Sequence, residues 1–335
     1  MRKKIAILHR YPKDQIRETN ASFPYLLREG VDVLTYKKFN RLHNGWKILK
    51  SLWWIFYAPF LCLFKFKDFG RGYDVIYCDD SFPFYPLFVK ILNPWAKVIK
   101  RMGDFHLMYY VTGFWYHLIH WLEIFEWKMM DGIVAISKPM AEHIEKESGK
   151  KCHVVLDPVD PLDFPIFQGE PHHTVMFHGL LTKNKNVDIL LAAAERMPSV
   201  LFKIVGDGPD RERLEDLAPV NVQFTGWIPF GRIVSILNTC SVGVALRSDN
   251  PGNDYVVTSP FLQYSILAKP CLVTKRQVYG DYPWQFTGVE DLIHGINELL
   301  ARPEEGKKMR EYVLEHHNAE KIGSELWNLL SQYAS

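Results

Sequence analysis

Apolar and polar positions alternate in blocks along this chain. In the first half, the short apolar runs KIAILH (4–9), VDVLTY (31–36), DVIYCD (74–79), AKVIKRM (96–102) and GIVAIS (132–137) stand between longer segments of helical character. Short runs rich in Val and Ile predict strands of a parallel sheet with both faces covered by helices. The second half repeats the arrangement with TVMFHG (174–179), LFKIVGD (201–207), VQFTG (222–226), VGVALR (242–247) and KPCLVT (269–274). Between the halves, Pro158, Pro161, Pro165 and Pro171 interrupt any periodicity and predict a linker over 158–172. The pattern predicts an α/β chain with two Rossmann-like, doubly wound domains, 1–157 and 173–305, and a cleft between them. The last segment, 306–335, reads as a helix that packs back on the first domain, with Leu326, Leu329 and Leu330 on one face.

Composition narrows the classes of partner. The 335 residues suit two domains of ordinary size, and 40 Lys plus Arg against 38 Asp plus Glu leave a net charge of +2. A balance this even gives no reason to expect nucleic acid as the partner, so basic character must be local. Cys62, Cys78, Cys152, Cys240 and Cys271 are far apart with no CxxC spacing, which fits small core residues in a reducing, cytoplasmic compartment. The start, MRKKIAILHRY, is basic, but its apolar run stops at His9, so it reads as a first strand and not a signal peptide.

The clearest candidate chemistry lies in HGLLTKNKNVDILL (178–191) and in Gly206-Asp207-Gly208-Pro209. Each follows a strand and precedes a helix, so both glycine turns open at the carboxyl edge of the second sheet. Backbone N–H groups, a helix N-terminus and a lysine at such an edge suit a diphosphate.

Six stretches in this order resemble the motifs of GT-B glycosyltransferases, most closely the family 4-like group. They are GIVAISKPMAEHI, VVLDPVD, FHGLLTKNKNVDILLAAA, IVGDGPDRERLE, VQFTGWIP and SPFLQYSILAKPCLVT, within about 132–300. The first 130 residues match in pattern only. The resemblance implies a transferase without a cofactor, moving a sugar from a nucleoside diphosphate sugar to a saccharide or lipid-linked acceptor in polysaccharide biosynthesis; the sequence offers no DxD-like pair with metal-ligand context, so a metal-independent reaction is expected. A GT-B epimerase of the same donor class and a non-catalytic sugar-nucleotide-binding scaffold remain open beside it.

Carried over residue by residue, the resemblance gives Lys185 to the donor pyrophosphate, with Lys183 beside it. Gly179, Gly206, Asp207 and Gly208 then approach the donor. Position 180, where the family has an arginine, is Leu180, and Tyr255 stands where an acid holds the donor sugar. Gln263 replaces the glutamate that binds the ribose hydroxyls, as is said of bacterial glucuronosyltransferases of exopolysaccharide assembly; an amide can still bond a diol. The loop RSDNPGNDYVVTSP offers Asp254 and its polar neighbours Asp249, Asn250 and Asn253 to sugar hydroxyls. Thr258 and Ser259 open a helix at Pro260 and suit phosphate.

The first domain must supply the acceptor side. Asp104 and His106, after the strand AKVIKRM, are the candidates for a general base, with Asp79, Asp80 and His9 behind them. The segment 37–70 mixes lysines with Trp46, Trp53, Trp54, Phe56, Tyr57 and Phe60. Its uncharged run, Ser51 to Phe64, falls short of the roughly twenty residues that span a bilayer. It reads as an interfacial segment that holds the protein peripherally on the inner face of the plasma membrane, or else as a core helix. The aromatic stretch 105–127 has the same two readings.

Overall fold

A computed structural model of the protein describes residues 4–9, 21–35, 72–79, 85–105, 113–167 and 173–334. The chain forms two compact units, 1–158 with 319–335, and 159–318. The segment 37–70, His106 and Asp80 lie outside the described residues, as does the side chain of His9.

In the first unit the sheet is built from β1 (Ile5–His9), β2 (Asp32–Thr35), β3 (Val75–Cys78), β4 (Lys97–Met102), β5 (Gly132–Ala135) and β6 (His153–Val154). Its order is β2-β1-β3-β4-β5-β6, and every pairing is parallel. β3 and β5, inside the sheet, are buried at every residue, as their unbroken apolar runs require. Helices α1 (Phe23–Arg28), α2 (Tyr85–Leu92), α3 (Gly113–Met129) and α4 (Lys138–Ser148) connect them. α4 starts where Ser137 accepts the Met140 N–H and stops at Gly149, whose φ of +71° is a left-handed cap.

The second unit repeats the plan with β7 (Thr174–His178), β8 (Leu201–Val205), β9 (Val222–Gly226), β10 (Val242–Ala245), β11 (Cys271–Thr274) and β12 (Gln285–Phe286). Helices α5 (Asp188–Arg196), α6 (Arg211–Asp216), α7 (Phe230–Leu237), α8 (Ser259–Ile266), α9 (Val289–Ala301) and α10 (Glu305–His316) accompany them. The core on one face joins Phe177, Phe202 and Val244 to Leu190 and Ile296; on the other it joins Met176 and Val273 to Phe261 and Val313.

Two features differ from the sequence pattern. The proline-rich stretch is partly core of the second unit: Val159 and Phe164 are buried with Met176 and Leu237, and the Val159 N–H donates to His317 O at 2.7 Å. The prolines hold the backbone extended, but the apolar side chains between them still find a core. The C-terminal segment from 306 is also two helices. α10 stays in the second unit, and only α11 (Ala319–Tyr333) joins the first, where Ile322, Leu326 and Leu330 pack on Ile7, Val33 and Val75. Gly323 lets that helix close on Tyr25, since a Cβ there would stand 2.8 Å from the ring.

α3 is turned against its composition. Glu123, Glu126 and Trp127 are buried, whereas Phe114, Trp121, Phe125 and Met129 are exposed. Glu126 pairs with Lys100 of β4, and both are almost completely buried. Two charges this deep hold only as a pair, because removing one leaves the other without compensation. Lys100→Ala should therefore lower unfolding stability by about 3–5 kcal/mol in urea denaturation. The double change Lys100→Met with Glu126→Leu should recover most of that loss.

Candidate functional site

The second sheet runs β12-β11-β10-β7-β8-β9, so the chain begins at β7, winds outward to β9 and returns to the other side at β10. Loops leaving the carboxyl ends of β7 and β10 therefore turn to opposite faces, and a crevice opens between them at this switch point.

The loop after β7 and the loop after β8 interlock. The Gly179 N–H donates to Val205 O at 2.9 Å, and the Leu181 N–H to Asp207 O at 2.9 Å. A Cβ on Gly206 would lie 1.9 Å from Gly179 O, and one on Gly208 would lie 2.2 Å from Leu181 O. Gly179 and Gly206 also hold φ values of +148° and +141°. The glycines that the sequence assigned to the donor thus have a first task in the protein itself, bringing two backbones into contact. Asp207 closes the same turn, accepting the Gly208 N–H at 2.8 Å and lying 3.4 Å from Arg211.

Lys183 and Lys185 sit on a single 3-10 turn that follows, Lys183 exposed and Lys185 half-buried. The start of α5 beyond them carries Asp188 in its first turn, held by Arg213 through bonds of 2.6 and 2.9 Å. The dipole of that helix already meets a carboxylate, so the two lysines, not the helix end, are the positive feature of this loop.

Across the switch point the two loops are tied together. Asn184 O accepts the Ser248 N–H at 3.0 Å, and the Ser248 hydroxyl also bonds the Asn184 side chain. The polar loop expected to meet sugar hydroxyls uses several of its groups internally. Asn253 donates to Ser248 O at 2.9 Å, Asn250 accepts the Gly252 N–H at 2.9 Å, and Asp249 pairs with Arg276 at 2.7 Å. Asp254, half-buried, accepts the Gln277 N–H at 3.5 Å.

Thr258 caps α8, accepting the Phe261 N–H at 3.4 Å, and its hydroxyl lies 3.1 Å from the Tyr279 hydroxyl. Thr258 is buried, while Ser259 is exposed in the first turn of the helix. One turn on, Gln263 Oε1 lies 2.6 Å from His178 Nε2. Burial pushes the His178 imidazole down from 6.5 to about 4, opposed by the Gln263 bond and assisted by the Lys185 charge. At neutral pH it is therefore uncharged, with Nε2–H donating to the Gln263 oxygen and Nδ1 buried without a partner among the described residues. Gln263, expected at the ribose, has its oxygen engaged within the protein.

Of the candidates in the first unit, Asp104 follows β4, is half-buried and accepts the Phe105 N–H at 2.8 Å. Asp79 is buried and lies 3.2 Å from Arg101, which also binds Asp157. The sequence reading missed His178, Arg247 and Arg276. The available signal was positional: each is a polar residue at or just beyond the end of a buried strand, where side chains reach the sheet edge.

The depressed His178 value carries a pH signature. The unfolded chain binds a proton near pH 6.5 that the folded chain refuses until about pH 4, so His178 contributes full stability above 6.5 and loses it as pH falls between those values. Unfolding free energies across this window should show a loss of about 3 kcal/mol in the native protein. That loss should be absent from His178→Leu.

No protein-family model matches the sequence, and no curated protein matches it. Solved structures do match. HepE from Anabaena, in complex with UDP and glucose, is similar with a TM-score of 0.73 at 13% identity, over 98% of this chain and 100% of that one. Sucrose-phosphate synthase from Thermosynechococcus elongatus gives 0.72 at 15% identity, over 99% of both chains. AviGT4, a glycosyltransferase involved in avilamycin A biosynthesis, gives 0.65 at 12% identity, over 99% of this chain and 98% of that one. In its two parallel six-stranded sheets with flanking helices, the chain has the GT-B fold of these glycosyltransferases.

Proposed function

We propose that this protein is a glycosyltransferase that takes a sugar from a nucleoside diphosphate sugar and passes it to a saccharide or lipid-linked acceptor. The observation that carries the reading is the carboxyl edge of β7 and β10, where interlocked glycine turns and a lysine-bearing turn adjoin a topological switch point. The similarity to HepE, which holds UDP and glucose, supports the same donor chemistry.

In the proposed reaction an acceptor hydroxyl oxygen attacks the anomeric carbon of the donor sugar. The bond from that carbon to the β-phosphate oxygen breaks, the nucleoside diphosphate leaves with the electron pair, and the hydroxyl proton passes to a base. Negative charge grows on the leaving oxygen, so a fixed cation there stabilises the transition state more than the ground state. Lys185 supplies that charge in this reading, aided by Lys183, so no bound metal is invoked. Asp104 is the proposed base among the described residues, with His106 beside it in sequence. The exposed Phe114, Trp121 and Phe125 of α3 support an acceptor presented at a lipid surface. No helix among the described residues is long and apolar enough to cross a membrane.

A panel of UDP- and GDP-sugars, assayed for nucleoside diphosphate release with and without acceptors, tests the reading. Turnover with at least one donor is expected, and Lys185→Ala should reduce kcat/KM by about 100-fold. Binding of a donor without turnover under any acceptor would instead favour a non-catalytic sugar-nucleotide-binding role.

A further inference from the structure

A diphosphate carries more charge than one lysine balances, and the side chain at position 180 is an exposed leucine. The pairing of β7 with β10 shows where a substitute stands. Val242 lies opposite Val175 and Gly243 opposite Met176, and beyond the strand ends Ser248 of the β10 loop is bonded to Asn184 of the lysine-bearing turn, so the residue before Ser248 stands beside that turn. That residue is Arg247. The charge absent from one side of the switch point is present on the other.

Arg247 is unusual among the arginines around this edge. Arg213 is held by Asp188 and Asp210, Arg211 by Glu215 and Asp207, and Arg276 by Asp249 and the Ser248 carbonyl. The Arg247 guanidinium makes no hydrogen bond or ion pair among the described residues, and its Nε is buried. A half-buried guanidinium without an anion has lost hydration and gained nothing in return, so it is primed for an anionic partner.

Its base is nevertheless fixed. The Arg247 N–H donates to Thr274 Oγ1 at 3.1 Å, and the next residue, Ser248, is bonded to Asn184, Asn253 and Arg276. The Arg247 charge also acts on the phenol of Tyr279, whose hydroxyl accepts the Thr258 N–H at the cap of α8.

We propose that Arg247 binds the diphosphate of the donor, providing from β10 the charge that position 180 does not provide from β7. The assignment rests on the nucleoside diphosphate sugar reading given above. An arginine there offers two parallel N–H bonds to phosphate oxygens, which a lysine does not.

Isothermal titration of the full-length protein, Arg247→Gln and Arg247→Lys with UDP, GDP, ADP and dTDP, and with their nucleosides as phosphate-free controls, tests it. Arg247→Gln should weaken binding of the preferred diphosphate by about 10- to 100-fold. It should leave nucleoside affinity within about twofold, and Arg247→Lys should recover part of the loss. Melting temperatures should not fall, because no partner among the described residues is lost. Equal diphosphate affinity in the native protein and Arg247→Gln would overturn the assignment, as would a parallel loss of nucleoside affinity. If the native protein binds none of the four diphosphates, the nucleotide-sugar reading fails, and this assignment with it.

Discussion

The chain after β7 and the chain after β8 approach each other through backbone atoms alone, and the edge of the second sheet depends on that contact. Any side chain at Gly206 or Gly208 would collide with the carbonyl of Gly179 or Leu181. With the turns closed, Leu181 is completely buried, and the chain is delivered directly into the lysine-bearing turn over Lys183–Lys185. Ser248 then ties that turn to the loop after β10 through Asn184. Two loops diverging from neighbouring strands are thus held by main-chain geometry before any ligand is present, which is the form of preorganisation an anion site needs.

The electrostatics of this edge follow from how its acids are used. Asp188 and Asp210 share Arg213, Asp207 faces Arg211, and Asp249 meets Arg276. Each of these carboxylates is matched by a nearby arginine, so they do not repel a diphosphate as free acids would. Lys183, Lys185 and Arg247 add positive charge to the same edge. His178 adds no charge at neutral pH, because burial keeps its imidazole unprotonated. It acts as a neutral donor to Gln263 and fixes that amide at the end of β7.

Much of the fold was legible because strands in a covered parallel sheet leave short apolar runs, and the ten runs correspond to β1–β5 and β7–β11. β6 and β12 were not legible, since each has two residues and joins a sheet edge through pairing that leaves no periodicity. The packing of Val159 and Phe164 was hidden by the prolines around them, which signal conformation and not exposure. In the site, the glycine turns and lysines stood out because their spacing is local. The bond from His178 to Gln263 spans 85 residues, and the placement of Arg247 beside the lysine-bearing turn, through Ser248 and Asn184, depends on strand order. Neither can be read from nearby residues, because the sheet, not the sequence interval, brings them together.

The central claim is that the carboxyl edge of β7 and β10 binds a nucleoside diphosphate. A crystal structure of the protein with UDP, or with whichever nucleoside diphosphate it binds most tightly, tests this most directly. The expected result is a diphosphate at the turn over Lys183–Lys185, within bonding distance of Lys185. A nucleotide bound instead at the sheet of the first unit, or away from the ends of β7 and β10, would contradict the account.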